Sequence, residues 1–127
     1  MQPDAKDRIR LQHMLDAGSE AIRHAHGRVR TDLETDRQLE HSLVRCLEVV
    51  GEAANNVSVG LRESHPEIEW KQLVSMRNRL VHAYFSTNLR VVWRTTTEEL
   101  PPLVAALATI LSGGDSDAPE EGLEEQQ

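Results

Sequence analysis

Apolar positions in residues 1–112 recur at intervals of three and four, the spacing that keeps one face of an α-helix against a core. Leu11, Leu15, Gly18, Ile22 and Ala25 form such a stripe, with arginine and aspartate set on the other side. Gly27 then supplies a stop, because a glycine just past a helix end turns left-handed without a Cβ penalty. Thr35-Asp36-Arg37-Gln38 reads as a capping box, and Leu39, Leu43, Leu47, Val50, Ala54 and Val57 run along one face of a long second helix. Residues 60–66 break the pattern. A third helix is predicted from about residue 67, with Trp70, Leu73, Val74, Leu80 and Val81 as its apolar positions. Asn88 is placed to cap a fourth, carrying Leu89, Val92, Trp93, Leu100, Leu103, Leu107 and Ile110. Pro101 and Pro102 fall inside it, and proline removes a helical donor and clashes with the preceding turn, so a kink or break is expected there. No segment alternates with period two for long. The pattern therefore predicts an all-α four-helix bundle over residues 1–112, with a kinked last helix. Residues 113–127, rich in Gly, Asp and Glu, have almost nothing to bury and are expected to form a disordered acidic tail.

Charge changes the picture only after that tail is set aside. The chain of 127 residues carries 14 Lys+Arg and 21 Asp+Glu, a formal net charge of −7. Six of the acids lie in the tail, leaving 15 acids against 14 bases in the predicted bundle, so overall acidity does not exclude a phosphate ligand. Twelve of the bases are arginine, which favours bidentate contact with phosphate or carboxylate. The single cysteine, Cys46, excludes an internal disulfide and a zinc site built from cysteines, and is expected to be a small core residue. The N-terminal residues lack the basic start and apolar run of a signal peptide, and no stretch approaches a membrane span, so a cytoplasmic location is expected. Trp70, Tyr84, Phe85 and Trp93 are the only aromatic residues, too few for a stacking platform of the kind that reads single-stranded RNA on RRM or OB folds.

The densest chemistry lies in Met76-Arg77-Asn78-Arg79-Leu80-Val81-His82-Ala83-Tyr84-Phe85. Asn78 and His82 share one helix face, and Arg77 and Tyr84 share another. His82 stands about 140° round from Arg77 on an ideal helix. The two therefore meet at one point only if the arginine wraps across, the helix is irregular near His82, or a second subunit completes the site. Such a set suits cleavage of RNA by its own 2′-hydroxyl: histidine transfers protons near neutrality, and arginine places fixed charge on the phosphoryl group. Asn78 is available to orient the imidazole or a phosphate oxygen. No metal or cofactor is required. The competing reading makes His82 a helix-end residue and Arg77 the partner of an acid.

Arg-Asn-x-x-x-His-x-Tyr, preceded by Trp70 and followed by Trp93 and Leu100-Pro101, resembles the HepT-like family of HEPN-domain toxins. The resemblance extends to residues 10–17, to Asp32-Leu33 and to residues 47–54, and covers most of residues 4–111. It implies a metal-independent endoribonuclease acting as the toxin of a bacterial toxin–antitoxin pair, with mRNA or tRNA as substrate. It also implies that Arg77 and His82 are catalytic, and that a nucleotidyltransferase antitoxin attaches AMP to Tyr84. Two motifs would face a shared cleft in a homodimer, and acidic side chains are expected to be sparse in that cleft. The alternative is a non-catalytic helical module that binds a nucleotide or RNA as the partner subunit of the nucleotidyltransferase.

Other groupings point to local structure. His24 and His26 face different sides of one helix and cannot share a metal. Glu20 and His24, one turn apart, read as a surface pair. Arg23, His24, His26, Arg28 and Arg30 form a basic cluster that suits the negative end of the first helix. Gly51-Glu52 interrupts an apolar face and marks either a close helix crossing or a support beneath Arg77 and His82.

Overall fold

The computed structural model describes residues 2–82 and 88–113, leaving aside the side chains of Val81 and His82. Among the described residues every regular element is helical. They are α1 (Ala5–Ala25), α2 (Asp32–Thr35), α3 (Arg37–Asn55), α4 (Val59–Ser64), α5 (Trp70–His82), α6 (Leu89–Arg94) and α7 (Leu100–Leu111), with a π-turn, Thr95–Glu99, joining the last two. Side-chain caps fix several starts, each serving amides that have no partner inside the helix. Asp4 accepts from the Asp7 N–H at 2.8 Å at the head of α1. Ser58 accepts from the Leu61 N–H at 3.2 Å at the head of α4, and Asn88 accepts from Arg90 and Val91 N–H at 3.0 and 3.2 Å at the head of α6. Gly27 follows the end of α1 at φ 75°, the left-handed stop that its position predicts.

Four helical columns build the bundle: α1, α3, α5, and the run from α6 through α7. α3 packs between α1 and α5, and α1 closes the far side against α7. Leu11, Met14, Leu43, Leu47, Val50, Leu61, Val92, Leu100 and Leu107 are fully buried between them. Each such side chain contributes roughly 1.5–3 kcal/mol of transfer free energy, and this apolar core is the main source of stability. A buried carboxylate adds specificity at one end. Asp7 accepts from the Ser58 N–H at 2.9 Å and from its hydroxyl at 2.6 Å, tying the first turn of α1 to the cap of α4.

Several elements differ in detail from the sequence pattern. The cap of α3 is Asp36, one residue later than the Thr35 box, because Thr35 closes the short helix α2; the Asp36 carboxylate accepts from the Leu39 N–H at 3.0 Å. Residues 60–66 are largely α4, a helix that their glycine and proline conceal. α5 starts at Trp70, later than residue 67, where the Trp70 indole donates to the His65 carbonyl at 3.0 Å and pins the turn. On α1 the buried face centres on Leu11, Met14, Ala17, Gly18 and Ala21, while Leu15 and Ile22 sit at its margin.

The fourth column stays helical past the prolines. Pro101 and Pro102 occupy the first turn of α7, where an absent N–H is least costly, and the break in α-winding lies just upstream as the π-turn. There the Leu100 N–H reaches back five residues to the Thr95 carbonyl. The Thr96 and Thr97 hydroxyls donate to the carbonyls of Val92 and Trp93 at 2.9 and 2.8 Å. The expected disordered tail, beyond Gly113, lies outside the described residues. Among the described residues no helix is long and apolar enough to cross a membrane.

Candidate functional site

Arg77 projects from the middle of α5 toward α3, and Gly51 is what lets it sit there. A Cβ on Gly51 would come within 2.2 Å of the Arg77 Cβ and 2.8 Å of the Leu73 carbonyl oxygen. The two helices thus cross too closely for any side chain at position 51, directly beneath the arginine stem. The next residue on α3, Glu52, ion-pairs with the Arg77 guanidinium. Asn78 accepts from the other terminal nitrogen of Arg77 at 2.6 Å. Arg77 has five N–H donors, so this pair of contacts fixes the fork and still leaves donors on both terminal nitrogens for an anion.

The guanidinium borders a groove of about 450 Å³ whose wall includes Arg10, His13, Arg45, Glu48, Glu52 and Asn56. Arginines from three helices face this space: Arg10 from α1, Arg45 from α3 and Arg77 from α5. Glu52 and Glu48 face it as well. The crossing at Gly51 with Glu52 paired is the first reading of Gly51-Glu52, and it makes Arg77 the partner of an acid, as the competing reading of that residue expected. The signal was the polar interruption of an otherwise apolar face, whereas Arg10, His13 and Arg45 carry no pattern that links them to Arg77.

His82 is the last residue of α5, five positions after Arg77 along continuous α-helix, so the backbone offers no irregularity before it that would bring the two faces together. The His82 side chain and the whole of Tyr84 lie outside the described residues. Asn78, open to either of two roles from the sequence, is engaged with Arg77.

The basic cluster at the end of α1 is largely occupied by carboxylates. Arg28 pairs with Asp32 at 3.2 Å and Asp36 at 2.9 Å, and Arg30 pairs with Glu34 at 3.2 Å. Asp32 is held below the ordinary carboxylate value chiefly by the Val29 N–H, and Asp36 chiefly by Arg28. His24 and Glu20 form the expected exposed pair at 3.2 Å. Cys46 is buried, as expected, and burial pushes its thiol up to about 11.

An all-α HEPN-like bundle with an arginine held at an open groove beside a Gly-Glu crossing defines the class. The family model described as ribonuclease HepT-like matches residues 14–110, and the chain belongs to that family. Among its relatives, a Caldanaerobacter subterraneus protein provisionally named an RNase is 36% identical over 101 residues, covering 80% of this chain and 90% of the relative. A Thermococcus cleftensis protein provisionally named ribonuclease HepT is 39% identical over 72 residues, covering 57% of this chain and 66% of the relative. A Methanocaldococcus jannaschii protein, also provisionally named an RNase, is 38% identical over 68 residues, or 54% of this chain and 56% of the relative. Aligned stretches therefore range from about half of a relative's length to nearly all of it. No solved structure gives a significant match.

Proposed function

We propose that the chain is a metal-independent endoribonuclease in which Arg77 and His82 carry the reaction. The observation that carries this reading is Arg77 itself, clamped by Glu52 and Asn78 at an open groove in a chain of the HepT-like family. In the reaction the 2′-hydroxyl loses its proton and attacks the adjacent phosphorus, and the 5′-oxygen leaves with a proton. The products are a 2′,3′-cyclic phosphate and a 5′-hydroxyl end. Arg77 stabilises the charge that builds on the phosphoryl oxygens, and because it is held before substrate arrives, little reorganisation is needed at the moment of reaction. His82 handles a proton, as base or as acid.

One chain supplies a single motif histidine for two proton transfers. A two-fold homodimer with both motifs on one cleft supplies the second, and also removes the difficulty that Arg77 and His82 stand on different faces of one helix. The family resemblance supports two further steps: that the protein is the toxin of a toxin–antitoxin pair, and that a nucleotidyltransferase antitoxin silences it by attaching AMP to Tyr84. AMP at that position would set negative charge and bulk close to the RNA phosphate's place, opposing binding by repulsion and by occlusion.

The deciding experiment is cleavage of a defined RNA by purified protein in EDTA. Arg77→Ala and His82→Ala are each expected to lose about 10²–10⁴ in rate with the helical fold intact. Undiminished cleavage by His82→Ala refutes the assignment. Wild-type protein that binds RNA without cutting it returns the non-catalytic binding module as the better reading. Intact-mass analysis after co-expression with the nucleotidyltransferase tests the switch. Whole AMP units that vanish in Tyr84→Phe support it, and an unmodified but silenced protein rules it out.

A further inference from the structure

Away from Arg77, α1 and α3 bring together three side chains whose chemistry the ribonuclease reading does not use. Glu20 and His24, one turn apart on α1, meet at 3.2 Å, and across the helix interface Cys46 of α3 lies beneath them. The carboxylate oxygen, imidazole nitrogen and thiol sulfur all lie within 4.8 Å of one another. We propose that Glu20, His24 and Cys46 form a zinc site that staples α1 to α3, with a fourth position open to water.

The donor set selects the ion. A thiol with an imidazole disfavours magnesium and calcium, which take oxygen ligands, and suits zinc, which accepts sulfur, nitrogen and oxygen together. Zinc bonds of about 2.0–2.3 Å in a tetrahedron place neighbouring ligand atoms about 3.3–3.8 Å apart. Glu20 and His24, at 3.2 Å, need to part only slightly to reach it. The widest separation must close by about an ångström, and the mobile partners are the right ones: Cys46 is fixed in the core at 4% exposure, while both α1 side chains are substantially exposed and free to turn inward. An ion has a way in, because Glu20 and Cys46 both line a groove of about 830 Å³ between α1 and α3.

Charge balance also favours the ion. Burial first, and the Glu20 carboxylate after it, oppose thiolate formation at Cys46. A dication compensates both groups: the S–H bond breaks, sulfur binds zinc, and one proton leaves to solvent for each ion bound. Arg23 and Arg45 also lie near the thiol, and Arg45 is turned toward Glu48 at 3.9 Å. Cys46 precedes Glu52 by six residues, about 9 Å along α3. The ion would therefore brace the helix that positions Arg77 without touching the reaction.

The test uses untagged full-length protein stripped with EDTA, titrated with zinc by calorimetry and with cobalt by absorption. The expected result is one equivalent bound, one proton released at neutral pH, and a sulfur-to-cobalt charge-transfer band. Cys46→Ala should abolish the band, and His24→Ala and Glu20→Gln should each weaken zinc binding at least about tenfold while retaining helical content. Because His24 and Glu20 are exposed, these two variants decide the question even if Cys46→Ala folds poorly. Binding without a thiolate band, or with affinity unchanged in His24→Ala and Glu20→Gln, shows only adventitious coordination by surface histidines and overturns the proposal. RNA cleavage is not the readout, so this result stands apart from the ribonuclease reading.

Discussion

Gly51 offers a sharp test of how the bundle is built, because two principles give opposite signs for Gly51→Ala. The position is in the interior of α3, where alanine is intrinsically preferred over glycine by about 0.8–1.0 kcal/mol. On propensity alone the variant should be more stable. The structure says otherwise. The new methyl would lie 2.2 Å from the Arg77 Cβ and 2.8 Å from the Leu73 carbonyl oxygen, neither of which can rotate aside. Relief requires α3 and α5 to part by about an ångström, and overpacking of this kind costs about 1–3 kcal/mol, occasionally more. With the steric cost at the upper end of that range, the net loss is about 2 kcal/mol. For a domain of this size that corresponds to a fall in melting temperature of roughly 8 °C. Thermal and urea unfolding followed by circular dichroism measure it, with Gly18→Ala as the control. At Gly18 the nearest atom is the Val104 Cγ2 at 3.0 Å, a methyl at the end of a side chain, so the steric and propensity contributions should nearly cancel. A Gly51→Ala protein that melts at or above the wild-type temperature refutes the close-crossing account and removes the reason given for Arg77's placement.

Three further outcomes are expected. Glu52→Ala should change stability by no more than about 1 kcal/mol, since the pair is partly solvated, yet lower kcat for RNA cleavage by up to about a hundredfold by loosening Arg77; equal kcat in steady-state assays would deny Glu52 its positioning role. Asp7→Ala leaves the Ser58 amide and hydroxyl without their shared acceptor and should cost about 1–3 kcal/mol in urea unfolding, while Asp4→Ala, a simple exposed cap, should cost less. Asp32 and Asp36 titrate below their ordinary value of 3.8 in the folded chain, so the stability they add is present above that pH and is lost as pH falls through their folded values. Arg28→Ala should flatten that acid-side decline in melting temperature, and an unchanged slope would show that the Arg28 clamp contributes nothing.

The sequence pattern carried the four columns because each long helix repeats its apolar positions often enough to define a face. Leu39, Leu43, Leu47 and Val50 are all buried as the spacing predicts. Short elements escaped it. α4 has only six residues, too few for a stripe, and contains Gly60; its evidence is the Ser58 cap rather than periodicity. The α3 cap moved by one residue because Thr35 is claimed by a preceding helix that no local pattern announces. At the site, unusual composition singled out Arg77 and Asn78, which the structure joins by a hydrogen bond, and the Gly51-Glu52 break marked the crossing; the His82 side chain lies outside the described residues. What was not legible is contact across columns: that Arg10 and Arg45 border Arg77's groove, or that Cys46 sits under Glu20 and His24. Those depend on the rotation of α1 against α3, which intrahelical spacing does not specify.

The π-turn gives the fourth column one residue of slack. In a π-turn one more residue is wound into the same rotation, so the helix downstream keeps the facing it would have had without it. Deleting a single residue from Thr95–Glu99 should therefore be absorbed by a return to α-winding, with Leu103 and Leu107 still on the core. The same deletion within residues 104–109 has no such reserve. It would swing everything after it by about 100° and carry Ile110 toward solvent. Length variation among proteins of this build should accordingly be tolerated just ahead of the proline pair and selected against beyond it.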